Sequence, residues 1–138
     1  MKKQLLVSVL AAGLFVGLTS EILSDNGKAG ATGSPGEVDC TDCHSSYALN
    51  SGGGTIALNT GTTNNEYHPG TTYHVTFTVS FSGRNLFGLG VEALTSTNNN
   101  AGTFTITDAA STRTKNATIS GVSRTSVVHQ FNGGVSAN

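Results

Sequence analysis

Tryptophan is absent from this chain, methionine occurs only at Met1, and proline and cysteine occur twice each. With no methionine beyond the initiator, no thioether side chain is left to ligate a metal in a processed protein. Two cysteines close one disulfide at most, so a small scaffold stapled by several bridges is excluded. Charge is scarce as well: charged residues make up 11% of the chain and the net charge is −1. Losing Lys2 and Lys3 with a leader would leave five basic residues against eight acidic ones, a net −3. A mildly acidic surface excludes nucleic acid and anionic membrane as partners. No Ser-His-Asp set, paired-carboxylate site or phosphate-binding loop is legible, so hydrolytic and nucleotide chemistry have no support. Gly, Ser, Thr and Asn fill most polar positions, which suits short strands joined by turns rather than helices.

Both cysteines fall in one pentapeptide, Cys40-Thr41-Asp42-Cys43-His44. This C-x-x-C-H spacing is the attachment signature of a c-type haem. Two thiols three positions apart can add to the two vinyl groups on one edge of a haem, and the histidine that follows is held under the iron as proximal ligand. Rival uses of the same thiols are weaker. A thioredoxin-like dithiol expects a helix at the motif, whereas Ser45-Ser46-Tyr47 leads into Asn50-Ser51-Gly52-Gly53-Gly54. A zinc site from Cys40, Cys43, His68 and His74 would need an unusually long gap between its two halves. A plain disulfide is the remaining alternative.

The compartment agrees with the haem reading. Met1-Lys2-Lys3 followed by the apolar run Leu5–Leu18 has the basic start and short hydrophobic core of a signal peptide. That run is too short and too early for a transmembrane helix. Thioethers are formed on C-x-x-C-H chains outside the bacterial cytoplasmic membrane. The expected division is therefore a signal peptide over 1–20, a Gly-rich haem-attachment arm over 21–54 and a β-domain over 55–138. The product would be exported to the periplasm, cell surface or medium, with no membrane span after cleavage.

Gly27, Gly30, Gly33 and Gly36 interrupt the arm, which has almost no apolar periodicity. Beyond Pro69-Gly70, Tyr73, Val75, Phe77, Val79 and Phe81 alternate with polar residues and predict a half-buried strand. Leu86–Leu94 is a second apolar run, in which Gly88 and Gly90 mark a bulge. Further strands are expected over Gly102–Thr107, Ala117–Ser120 and Thr125–Phe131, the last with Val127, His129 and Phe131 on one face. Strands at this spacing argue for an antiparallel sandwich.

Gly30-Ala31-Thr32-Gly33-Ser34-Pro35-Gly36-Glu37 before the Cys40–His44 motif, then Tyr67-His68-Pro69-Gly70-Thr71-Thr72-Tyr73, then Phe87-Gly88-Leu89-Gly90-Val91-Glu92-Ala93-Leu94, resemble the bacterial choice-of-anchor V domain over roughly residues 27–131. The resemblance implies an exported or cell-surface Ig-like, Reeler-like β-sandwich. The family pattern continues past His129 into a Trp-containing strand that this chain lacks. The expectation is a sandwich incomplete at its C-terminus after Phe131, its open edge taken by further chain or by strand pairing between copies.

The histidines decide the mechanism. His44 is the proximal ligand if haem is bound. His74 lies on a Thr-rich face and His68 in a turn, whereas His129 shares its face with apolar residues and is the candidate distal ligand; the family pattern also places a histidine in this late strand. The function expected is that of a monohaem electron carrier, one haem c per chain, exchanging electrons with a redox partner protein or neighbouring cytochrome subunits. The alternatives are a non-catalytic adhesion or matrix module and, third, a five-coordinate haem sensor or peroxidase.

Overall fold

A computed structural model describes residues 26–130 and the backbone of Val135 and Ser136. The leader expected over 1–20 and Phe131 lie outside the described residues. The protein is all-β and antiparallel, with strands β1 (Thr55–Asn59), β2 (Thr76–Ser80), β3 (Leu86–Phe87), β4 (Gly90–Val91), β5 (Thr112–Ile119), β6 (Val122–His129) and β7 (Val135–Ser136). The helical element among the described residues is a 3-10 turn, Cys40–Asp42. The strands pair as β1–β2, β3–β7 and β4–β6–β5.

β5 and β6 form the backbone of the fold. Ser120 and Gly121 join them, both at positive φ (50° and 83°), the geometry of a two-residue hairpin whose twist matches its strands. The register sets Arg113 opposite Val128, Lys115 opposite Ser126, Ala117 opposite Arg124 and Ile119 opposite Val122. Gly90 of β4 also faces Val128. One face of this sheet therefore carries Lys115, Ala117, Ile119, Arg124, Ser126 and Val128. Val128 and Ser126 are fully buried there and Arg124 nearly so.

The arm is what buries that face. The Lys115 ammonium donates to the carbonyls of Asn26 and Gly27 at 2.6 and 2.7 Å, and Arg124 Nη1 donates to the Pro35 carbonyl at 2.8 Å. Between these anchors Gly30 lies against Ala117 and Ile119, and Gly36 against Ile119. A Cβ on Gly27 would meet Val128 Cβ at 2.6 Å, so this backbone crosses β6 at a distance only glycine allows. The irregular arm thus serves as a second layer over the three-stranded sheet.

Several expected strands fall differently. The strand expected over Tyr73–Phe81 begins only at Thr76, because the Tyr73 hydroxyl accepts the His68 N–H and holds that residue in the preceding turn. Leu86–Leu94 splits into β3 and β4 around Gly88 and Leu89. Gly102–Thr107 joins no ladder. Ala117–Ser120 is the end of the longer β5, and β6 starts at Val122, ahead of the expected Thr125. β7 follows the expected last strand and pairs with β3, so pairing continues beyond Phe131. On β6 the deeper face is that of Arg124, Ser126 and Val128, whereas Val127 and His129 are half-buried. Alternation gives the period but not the side covered, and here the arm selects the polar-rich side.

Candidate functional site

Asp39 builds the turn that carries the motif. Its carboxylate accepts from the Thr41 N–H at 2.8 Å and the Thr41 hydroxyl at 2.5 Å, a side-chain cap on the 3-10 turn. Those two bonds hold the Asp39 carboxyl below its ordinary range. The Cys40 carbonyl accepts the N–H groups of Cys43 and His44 and closes the turn on its other side. Cys40 and Cys43 are both exposed free thiols. His44 is also exposed.

A salt bridge ties this turn to the start of the arm. Lys28 Nζ lies 3.1 Å from Asp42 Oδ2, and the bond to Asp42, its charge and that of Cys43 raise the Lys28 pKa. The residue before Lys28 reaches the other predicted ligand: the Gly27 N–H donates to His129 Nε2 at 3.2 Å. His129 Nδ1 lies 3.3 Å from the Leu89 carbonyl and 3.1 Å from the Leu89 N–H. A neutral ring has one acceptor nitrogen, so it takes the Gly27 N–H at Nε2 or the Leu89 N–H at Nδ1 according to tautomer. His129 is therefore a clasp between the arm and the β3–β4 loop, and Gly27-Lys28 links it to Asp42. Iron binding through Nε2 would require Gly27 to release it.

The other histidines stand apart. His68 lines a polar pocket of about 300 Å³ with Thr63, Asn64, Glu66 and Tyr73, and His74 is exposed ahead of β2. Among the described residues, no group of three or more His, Cys, Asp and Glu is placed to hold a metal ion, so Cys40, Cys43, His68 and His74 are not assembled as a zinc site. No helix of thioredoxin type follows the thiols, since Cys43 to Gly54 runs through turns and bends.

A polar cluster that sequence reasoning missed lies under the arm. Arg124 Nη1 is 3.8 Å from Glu37 Oε1 and 3.9 Å from Glu92 Oε2, with side-chain exposures of 3%, 0% and 1% respectively. Glu37 Oε2 accepts from the Thr32 N–H at 3.0 Å and the Thr32 hydroxyl at 2.7 Å. Glu92 Oε1 accepts from the Ser126 hydroxyl at 3.0 Å. Both carboxyls face the same guanidinium nitrogen, and Glu37 Oε1 and Glu92 Oε2 have no hydrogen-bond partner. Burial pushes both pKa values up. For Glu37 the Thr32 bonds, the neighbouring Glu92 carboxyl and the Arg124 charge reverse this to a net lowering. Glu92 stays raised by burial and by Glu37, despite Ser126 and Arg124. A paired-carboxylate site, not expected from the sequence, is thus present, although it is sealed. The signal was Glu92 itself, the one charge in the apolar run Leu86–Leu94 of a charge-poor chain.

Comparison with protein-family models, curated proteins and solved structures finds no match to this chain.

Proposed function

We propose that this chain is an exported monohaem c-type cytochrome, with haem held by thioethers to Cys40 and Cys43 and by His44, and with His129 as the distal ligand. The observation that carries this reading is the capped turn Cys40–Asp42, which presents two free, exposed thiols and then an exposed imidazole. The residues present suit the group: both thiols are free and exposed, and no described side chain covers them. Bound haem would supply one-electron chemistry at iron. The chain's own part is positional. Asp39 holds the turn, Lys28 holds Asp42, and His129 would exchange its Gly27 hydrogen bond for the iron. Two histidine ligands make a six-coordinate, low-spin centre suited to electron exchange with a redox partner protein or neighbouring cytochrome subunits. The Reeler-like sandwich belongs to the same proposal, supported by the antiparallel β4–β6–β5 sheet and the layer laid across it.

A second reading, a surface adhesion or matrix module, is favoured by the β1–β2 hairpin. Its register puts Ile56, Leu58, Phe77 and Val79 on one face, with Ile56 69% and Leu58 58% exposed.

The experiment is a haem-stained denaturing gel of full-length protein made with a c-type maturation system. A covalent haem band lost in Cys40→Ser with Cys43→Ser is expected, and a colourless folded product would leave the adhesion module. In the loaded protein His129→Ala is expected to give a high-spin spectrum and open the iron to carbon monoxide. If His68→Ala or His74→Ala does so instead, the ligand is that residue.

A further inference from the structure

We propose that Glu37, Glu92 and Arg124 form a proton-dependent clasp that holds the arm bearing Cys40–His44 against the three-stranded sheet. The inference is independent of what the thiols carry. Its three side chains come from the arm, the residue after β4, and β6, and all are buried. Glu37 Oε1 and Glu92 Oε2 are buried without a hydrogen-bond partner. Arg124 is spent elsewhere: Nε donates to the Asn98 carbonyl and Nη1 to the Pro35 carbonyl, while both carboxylates stay beyond hydrogen-bond reach.

Charge bookkeeping then fixes the protonation state. One guanidinium facing two ionised carboxylates would leave a buried net negative charge and two anionic oxygens without partners, which a water-poor site does not tolerate. With one proton on the pair the cluster is neutral. Glu37, which accepts two bonds from Thr32, is the anion, and Glu92, which accepts one from Ser126, holds the proton. No other charge substitutes for it. On the same face of β5, Lys115 is committed to the carbonyls of Asn26 and Gly27, with Arg113 beside it. The loop at Asn98–Asn100 brings only neutral side chains.

The sign follows. The folded pKa of Glu92 lies above the 4.5 of an ordinary glutamate, so the stability it contributes is complete below that value and is lost as pH rises through the folded value. Glu37 is shifted the other way, and its contribution is present above 4.5 and lost as pH falls. Docking is therefore tightest in between and loosens on alkalinisation, when that proton leaves.

Carbon-13 NMR of the full chain tests this, since Glu21, Glu37, Glu66 and Glu92 are the only glutamates. The Glu92 carboxyl is expected to titrate above the rest. Protection of the Thr32 and Gly33 amides, corrected for intrinsic exchange, should fall across that step by about tenfold for each pKa unit of elevation. Glu92→Gln should keep the arm protected as pH rises and erase that step, leaving the loss at low pH that belongs to Glu37, whereas Glu37→Gln should lower protection throughout. Four glutamates titrating together as ordinary carboxyls would overturn the clasp, and so would a Glu92→Gln arm that follows the wild-type curve. If Glu92→Gln does not fold, the wild-type carboxyl titration still decides.

Discussion

Replacing Gly27 with alanine tests whether the arm is packed on the sheet. A methyl group there would lie 2.6 Å from Val128 Cβ, 2.8 Å from the His129 carbonyl oxygen and 3.0 Å from the His129 nitrogen. Carbon atoms in contact prefer about 3.5–4.0 Å, so the arm must move off β6 by about 1 Å. Two of these three contacts are strand backbone, which cannot yield by changing a rotamer. Overpacking of this kind costs about 1–3 kcal/mol. Moving the arm also stretches the Gly27 N–H bond to His129 and the Lys115 bond to the Gly27 carbonyl, each worth about 1 kcal/mol net. Against this, alanine restricts the unfolded chain and returns about 0.4–1 kcal/mol. The expected net loss is about 2 kcal/mol, read in thermal unfolding as a Tm lower by about 8–16 °C for a domain of this size. The control is Gly90→Ala, whose methyl would find Thr32 Cγ2 at 3.7 Å, an ordinary contact, and which should leave stability within about 0.5 kcal/mol of wild type. Equal stability of Gly27→Ala and Gly90→Ala would refute the packed arm.

Two further outcomes are expected. Arg124→Met leaves the Glu37 carboxylate buried without its cation and should destabilise by about 3–5 kcal/mol, measured as the shift in urea midpoint; adding Glu37→Gln should restore part of the loss, and a purely additive double variant would contradict the cluster. Asp39→Ala removes the cap on the Cys40–Asp42 turn and should speed hydrogen exchange at the Cys43 and His44 amides. The same acceleration should appear in wild-type protein as pH falls below about 3.8, because the folded carboxyl lies below that value and its contribution is lost on protonation.

The all-β character was legible because glycine, asparagine and serine punctuate short alternating runs. Alternation over Tyr73–Phe81 and Thr125–Phe131 located β2 and the second half of β6, whereas β1 and the Ser120-Gly121 hairpin were not read. What was not legible was the partner of each face. Val127 and His129 read as the apolar side of β6, yet the arm covers Arg124, Ser126 and Val128, and the polar members of that face are tolerated because Glu37, Glu92 and Pro35 supply their partners. Such pairings join residues far apart in sequence, and no local pattern reports them. The spacing of Cys40, Cys43 and His44 is a local feature of the sequence, whereas the surroundings of His129 depend on Gly27 and Leu89.

The layering of the arm on β5 and β6 has a consequence in time. Gly27 meets His129 across 102 residues of chain, and Pro35 meets Arg124 across 89. Contacts this distant form late, since the intervening loop must close first. In a chain made from its N-terminus, the Cys40–His44 segment exists well before the strands that seat its arm. Its thiols therefore pass through an interval in which they belong to an extended peptide rather than to a folded surface.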